Sequence, residues 1–405
     1  MANSRSSERP AILGGEPVAN AAIWPEWPQW NECEERALRE VLASGRWQSG
    51  PQVEAFEREF AIYQGSDHAI CVTNGTSSLE LALRSLSIGP GDEVIVPTYT
   101  FAATGLAVLA VGARPVFVDS EPETLNIDPD KVRAAITGST RAVIPVHIGG
   151  HPADLDELKE LSASHSLPLV EDAAHAHGAE WRGERIGAHG HCASFSFQTG
   201  KSITAGDGGC LTTGDPVVAE RLRSLRDFGR GPGGELVRVG GNHRMTEFQA
   251  AVLRCQLGRL DDQIAVRESR VSRLRSSLTR IPGINVAATD PRVTRHPHYQ
   301  VLLHYRPEEF GLSKAQLLQA LVAEGVPVEA GYQPLHLMTL FQRTVAEGHA
   351  IAHPCRVAES ASSANVLWFS FRLALASEEQ VDTLTVALEK LRANVTELKG
   401  AMPAR

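Results

Sequence analysis

The sequence predicts an α/β protein, with a large domain built on a mostly parallel sheet and a smaller α+β domain after it. Three observations carry that expectation. From about His68 to Thr213, short apolar runs alternate with helical patterns, which is the rhythm of a parallel sheet covered by helices on both faces. A long helical pattern over 246–278 follows, where a connection between domains is expected. At 405 residues the chain is also too long for one ordinary core, so two domains are the natural prior. The expected division is 1–265, an opening segment plus the large domain, and 266–405, the small domain.

The opening Met1-Ala-Asn-Ser-Arg-Ser-Ser-Glu-Arg-Pro10 is polar and lacks the apolar stretch of a secretory signal. Trp24, Trp27 and Trp30 follow among prolines, suited to packing across a domain or subunit surface or to lining a substrate. Strands are expected over 69–73, 93–96, 115–118, 142–146, 168–170 and 193–197, and helices over 76–85, 101–111 and 153–164. Past the long helix, a β-rich stretch over 299–304 and helices near 314–323 and 378–391 make the small domain. Open sheets of this kind bind ligands beyond the carboxyl ends of their strands, so the polar residues at those ends are the functional candidates.

The composition narrows the function classes. Hydrophobic residues at 42% and charged residues at 21% describe an ordinary soluble globular protein. With 39 Lys+Arg against 48 Asp+Glu, the net charge of -9 turns away a nucleic-acid partner. No apolar run reaches bilayer length, and the expected location is cytoplasmic. Cys33, Cys71, Cys192, Cys210, Cys255 and Cys355 are scattered without paired spacing. They are expected as reduced, mostly buried thiols and not as a disulfide frame or zinc site.

Four strand-end segments could carry chemistry. Thr73-Asn-Gly75-Thr76-Ser77-Ser-Leu79 closes a strand and opens a helix, where free N–H groups and the Thr76 and Ser77 hydroxyls could hold an anion or simply cap the helix. Pro97-Thr-Tyr-Thr-Phe101 brings two aromatics, for stacking on a planar ring or for core packing. Glu171-Asp172 ends another strand; Asp172 could hold a ring nitrogen protonated or cap the next turn. Ser194-Phe-Ser-Phe-Gln-Thr-Gly-Lys201 delivers a lysine to a glycine-rich turn, as a solvated residue or as a desolvated nucleophilic amine. Gly200-Lys201-Ser202 ends like a P-loop, but Phe195 stands where that motif needs its first glycine. His175-Ala-His177 has no carboxylate-rich helix beside it, and no metal is expected.

Together these segments resemble the sugar and cyclitol aminotransferases of the DegT/StrS type, within the fold-type I pyridoxal phosphate enzymes. The likeness runs from about Trp24 to the C-terminus. It rests on Asn-Gly-Thr-Ser-Ser-Leu at 74–79, Glu-Asp-Ala-Ala-His-Ala-His-Gly at 171–178, Ser-Phe-Gln-Thr-Gly-Lys at 196–201, Ala-Gly-Asp-Gly-Gly at 205–209 and Gly-Gly-Asn-His-Arg-Met at 240–245. The resemblance implies pyridoxal 5'-phosphate as cofactor, Lys201 as its Schiff-base lysine and Asp172 as partner of its ring nitrogen. It implies that Gly75, Thr76, Ser196 and Gln198 surround the cofactor and its phosphate, with Phe101 on the ring and His175 at its oxygen side. Asn242 matches an asparagine that reaches the neighbouring subunit's phosphate, implying a homodimer with shared sites. Tyr332 and His336 match a substrate-side loop.

The implied reaction moves an amino group from glutamine or glutamate to a ring ketone in secondary-metabolite or antibiotic biosynthesis. Gln198 in Ser-Phe-Gln-Thr-Gly-Lys is closer to 3-amino-5-hydroxybenzoate synthases and inosose aminotransferases than to the nucleotide-sugar branch, and the tail Val366-Leu-Trp-Phe-Ser-Phe-Arg372 departs from the small-residue pattern of that branch. Asp207 replaces a usual glutamate. The alternatives are a nucleotide-linked keto sugar as acceptor, or an aminodehydratase of the aminohydroxybenzoate kind. By the same resemblance, relatives that dehydrate or deoxygenate a sugar carry histidine in place of the lysine, so Lys201 favours transamination and leaves open the aromatising loss of water of aminohydroxybenzoate synthesis.

Overall fold

The computed structural model describes residues 8–402; the polar stretch 1–7 lies outside them. The large domain holds seven principal strands: β1 (His68–Val72), β2 (Glu93–Pro97), β3 (Arg114–Val118), β4 (Thr140–Val143), β5 (Val170–Asp172), β6 (Cys192–Ser196) and β7 (Gly209–Thr213). Their spatial order is β3-β2-β4-β5-β6-β7-β1, the two halves being joined by parallel bridges Val143–Leu169 and Val146–Asp172. Only β7 runs against its neighbours; the remaining pairs are parallel.

Helices cover both faces because both faces of each strand are apolar. Ile70 and Val72 of β1 pack into one core cluster, while Ala69 and Cys71 pack into another on the opposite side. Val94 and Val96 of β2 likewise face away from Ile95, as the two-residue period of a strand requires. Four helices lead into or follow the early strands: α1 (Glu32–Ser44), α2 (Pro51–Gln64), α3 (Gly75–Ser85) and α4 (Ala102–Ala110). They are joined by α5 (Leu155–His165) and α6 (Pro216–Arg226). The buried Glu247 carboxylate accepts the N–H groups of Gly50, Gln52 and Val53 at 2.9, 2.8 and 3.1 Å, which satisfies the free amides that begin α2.

The single helix expected over 246–278 is two, α7 (Glu247–Leu257) and α8 (Leu260–Leu278). The break falls at Gly258-Arg259, where Arg259 leaves helical geometry at φ -115°, ψ 1°. Glycine is a poor interior helix residue, and Arg259 is drawn aside to Gln29 O at 2.8 Å and to the Glu34 carboxylate. The thiol expectation is also corrected at one pair. Cys33 of α1 and Cys255 of α7 form a disulfide across 222 residues, with Cα atoms 5.9 Å apart. Spacing along the chain could not reveal it, because only the packing of α1 on α7 brings the two together. Cys71, Cys192, Cys210 and Cys355 are free and buried.

Beyond α8, strands β8 (Ile284–Val286), β9 (Gln300–Tyr305) and β10 (Val366–Ser370) form an antiparallel sheet in that order. With α9 (Lys314–Ala323) and α10 (Glu378–Ala393) they enclose a second core. Helix α8 serves both units, since Ile264 packs in a sheet-domain cluster and Val271, Leu274 and Leu278 pack in the second core. Trp24 is buried in the second core as well and donates Nε1–H to Gly325 O at 2.8 Å, so the opening segment packs on the small unit. Among the described residues no helix is long and apolar enough to cross a membrane.

One buried ion pair holds that opening segment. Glu324 accepts Ala11 N–H at 2.8 Å and Val18 N–H at 3.0 Å, and Lys390 Nζ at 2.9 Å with both side chains fully buried. Removing one partner of such a pair strands a charge. Glu324→Ala is therefore expected to lower stability by about 3–5 kcal/mol in urea unfolding, with Glu324→Leu/Lys390→Met recovering much of the loss.

Candidate active site

The carboxyl ends of β1, β2, β5 and β6 open onto one cavity of about 670 Å³. It is lined by Gly75, Thr76, Ser77, Phe101, Asp172, His175, Ser196, Gln198, Lys201 and Tyr332, so the fold gathers most of the residues singled out from sequence. Asn242 and His336 do not line it. Asn242 lies on an exposed stretch bridged to Asp227. The His336 ring is held away by Thr98 Oγ1 at 2.7 Å and Glu359 Oε1 at 3.1 Å.

Asp172 sits at the end of β5, nearly fully buried. Thr104 donates Oγ1–H to its Oδ2 at 2.9 Å, and the Ala174 N–H lies 3.3 Å from Oδ1. Burial pushes its pKa up, against the pull of these hydrogen bonds and of the Lys201 charge. A buried carboxylate in that condition favours a cationic partner. Lys201 begins the turn after β6, its backbone N–H donating to Gln198 O at 2.8 Å. Its Nζ stands 4.8 Å from the centre of the Tyr299 ring. Burial lowers its pKa to about 8, with the Asp172 charge opposing that shift. The amine form is thus accessible near neutrality, as a nucleophilic lysine requires.

The anion end of the cavity is the start of α3. Asn74 caps it by accepting Ser77 N–H at 2.8 Å. A Cβ at Gly75 would meet the Ser196 Cβ at 2.7 Å, so glycine lets the helix start lie close against β6. Phe101 caps α4 and remains 60% exposed, a large apolar face open to the cavity. His175 stacks on Tyr299 with ring centres 4.3 Å apart, and the Tyr332 hydroxyl lies 3.2 Å from its Nε2. Burial, then the Lys201 and His177 charges, hold its pKa well below the usual histidine range, so the ring is neutral. Its Nδ1 is buried and has no hydrogen-bond partner among the described residues.

Other residues of the site carried no signal in the sequence. Thr104, one helical turn beyond Phe101, does not itself line the cavity and acts on it only through its hydrogen bond to Asp172. Tyr299, Gln300, Glu329 and Trp368 come from the second unit and enter only through tertiary packing. Trp368 donates Nε1–H to the Tyr99 hydroxyl at 3.0 Å and stands edge-on to Tyr332 at 4.7 Å. Gly331, at φ +80°, passes so close that a Cβ would lie 2.6 Å from both Trp368 Nε1 and Tyr99 OH. Asp207 lines the cavity, its Oδ1 accepting the Gly208 N–H at 2.9 Å.

The profile of the DegT/DnrJ/EryC1/StrS aminotransferase family matches residues 28–388. The chain belongs to that family. It is therefore a pyridoxal-phosphate-dependent aminotransferase. Among similar proteins, the L-glutamine:2-deoxy-scyllo-inosose aminotransferase of Streptomyces kanamyceticus is 41% identical over 356 residues, 83% of each chain. The dTDP-3-amino-3,4,6-trideoxy-alpha-D-glucose transaminase of Streptomyces venezuelae is 46% identical over 303 residues, 74% of this chain and 78% of that one. The crystal structure of 3-amino-5-hydroxybenzoic acid synthase superposes with a TM-score of 0.84 at 37% identity, over 92% of this chain and 98% of that chain. The aminotransferase family and the fold class read from the sequence are thus established.

The amine chemistry of this site has a pH signature. Trapping of a simple aldehyde on the cofactor-free protein by borohydride, read at Lys201 by mass spectrometry, should rise with pH through a midpoint near 8. Asp172→Asn removes the charge that raises this pKa, so its midpoint should fall below the wild-type one. A wild-type midpoint near the ordinary lysine value of about 10.4 would contradict the burial of this amine.

Proposed function

We propose that this aminotransferase moves the amino group of glutamine, or of glutamate, to a ring ketone of the cyclitol kind, with pyridoxal 5'-phosphate held in the 670 Å³ cavity. The observation that carries the cofactor placement is Asp172, a buried carboxylate with a raised pKa, in the same cavity as Lys201. The cavity fits that group at each end. The glycine-tight start of α3 offers N–H groups to a phosphate. The exposed face of Phe101 suits a planar ring, and the unpartnered Nδ1 of neutral His175 is available to a polar substituent.

When bound, pyridoxal phosphate supplies a protonated ring that draws electrons from the carbon beside the reacting nitrogen. The chain's residues do the rest. Asp172 keeps the ring nitrogen protonated, and Thr104 holds the carboxylate in place from its outer oxygen. Lys201 Nζ would hold the cofactor covalently between turnovers, and as a free amine it would take the proton that leaves the donor's α-carbon. In the second half-reaction the same amine returns a proton to the former ketone carbon. Donor and acceptor use the site in turn, giving ping-pong kinetics.

The donor and acceptor follow from the relatives' activities and from Gln198, which lines the cavity beside Lys201. The likeness to a dTDP-sugar transaminase supports a second reading, a nucleotide-linked keto sugar as acceptor. We assign the enzyme as a homodimer in which Asn242 completes the neighbour's phosphate site. That residue is exposed and outside its own cavity, which leaves it accessible to a second copy.

Reduction of the holoenzyme with borohydride, digestion and mass spectrometry should locate the phosphopyridoxyl group on Lys201; any other lysine would overturn the assignment. Lys201→Ala should retain folded structure and lose turnover by about 10²- to 10⁴-fold, the range of a positioned proton-transfer group. Mixing inactive Lys201→Ala and Asn242→Ala subunits should restore partial activity in hybrid dimers, because each hybrid keeps one intact shared site. No recovery on mixing would refute the shared site.

A further inference from the structure

A cation sits where the physics of helices argues against one. Lys314 is the first residue of α9, directly after the capping Ser313, and a positive charge in that turn opposes the helix dipole. Its side chain is nevertheless buried, and no carboxylate pairs with it among the described residues. Burial lowers its pKa to about 8, so at neutral pH the group remains an ammonium. Three main-chain carbonyls hold it: Nζ donates to Ala330 O at 2.8 Å, to Ala361 O at 3.0 Å and to Ser362 O at 2.7 Å. All three ammonium donors are used, and a neutral amine would have only two.

The two segments joined in this way both lead into the active-site cavity. Ala330 precedes Gly331 and Tyr332, which line it. Ala361 and Ser362 open the π-helical turn Ala361–Asn365, which runs straight into β10 and Trp368. Turns of that kind are uncommon and gather at functional sites. Further along, the same segments meet again. Glu329 N–H donates to Trp368 O at 2.8 Å, Trp368 N–H donates to Glu329 O at 3.1 Å, and the Tyr332 ring stands edge-on to Trp368. Because Gly331 is packed hard against Trp368 and Tyr99, a displacement at Ala330 passes on to Tyr332 instead of being absorbed between them. The Tyr332 hydroxyl lies 3.2 Å from His175 Nε2, at the long end of a hydrogen bond, so a small shift of the turn breaks that contact.

We propose that Lys314 is a positioning residue of the active site: its ammonium clamps the turn at Ala330 onto the turn at Ala361 and thereby holds Tyr332 against His175. Lys314 lines none of the cavity and acts only through Tyr332. The inference rests on reading this cavity as the reaction site.

The test uses the donor half-reaction, so it needs no knowledge of the ketone. Holoenzyme is mixed with glutamine or glutamate, and keto acid release in a single turnover is timed with the faster donor. Lys314→Met keeps the length of the side chain and removes its donors, whereas Lys314→Gln keeps some of them. Lys314→Met should slow release by roughly 10-fold, the worth of a hydrogen-bonded contact held in place, and Lys314→Gln should slow it less. In a Tyr332→Phe background Lys314→Met should add less than about twofold, because its effect runs through that hydroxyl. A full additive loss in the double variant, or a wild-type rate in Lys314→Met, would overturn the proposal. A second readout needs neither cofactor nor turnover. Hydrogen exchange in the cofactor-free protein should rise roughly 10-fold in Lys314→Met in peptides carrying the Glu329 and Trp368 amides, with the interior of α9 unchanged. Unchanged exchange at both amides would refute the clamp, and a rise throughout α9 would reduce Lys314 to a general stabiliser of the fold and refute it equally. Failure of wild type to release keto acid from either donor would remove the transamination reading, whereas the exchange result would still decide the clamp.

Discussion

The site depends on the opposition of a carboxylate and an amine in a cavity largely withdrawn from water. Asp172 and Lys201 are both pushed toward their neutral forms by burial, and each is partly held in its charged form by the other. Such a balance exists only where strand ends converge and helices close both sheet faces. The order β3-β2-β4-β5-β6-β7-β1 places β5 and β6 side by side at that point, so adjacent strands deliver the acid and the amine. Thr104 then matters for a physical reason: a buried carboxylate oxygen without a donor is costly, and the Thr104 hydroxyl supplies that donor from α4.

The second structural unit supplies the other wall through aromatic rings. His175 stacks on Tyr299, Tyr299 lies near-parallel to Phe371 at 5.9 Å, and Phe371 meets Trp27 edge-on at 4.8 Å. Trp27 in turn donates Nε1–H to Thr199 O at 3.0 Å, beside the Lys201 turn. The opening segment, the small unit and the lysine turn thus form one packed chain of contacts around the amine. This gives the tryptophans distinct parts: Trp24 fills the second core, Trp27 braces the site and Trp30 remains exposed. The ring of Tyr299 also faces the Lys201 ammonium, a contact that stabilises the charged form.

Much of the large domain was legible because its signals are local. Alternation within β1 and β2, and the start of α3 after Asn74, follow from residue spacing over a few positions. The break at Gly258-Arg259 was not legible, since a helical period continues on both sides and the deciding contact, Arg259 to Glu34, lies 225 residues away. The Cys33–Cys255 bridge was hidden for the same reason. His336 illustrates a subtler gap: its loop does approach the site through Tyr332, but Thr98 and Glu359 turn the histidine ring elsewhere.

By itself, the sequence determined the α/β class, the family, and the strand-end residues Asp172, Ser196 and Lys201, because each is encoded within a short segment whose conformation is locally set. Tertiary structure alone decided what stands opposite them. Tyr299, Gln300, Glu329 and Trp368 lie in or beside the second unit's sheet, far downstream in the chain, and no periodicity in one segment records which surface of another it will face. The reaction type is therefore written in local motifs, whereas the wall that meets the substrate arises from long-range packing, where the entropy of bringing distant segments together is offset only by the burial of the whole core.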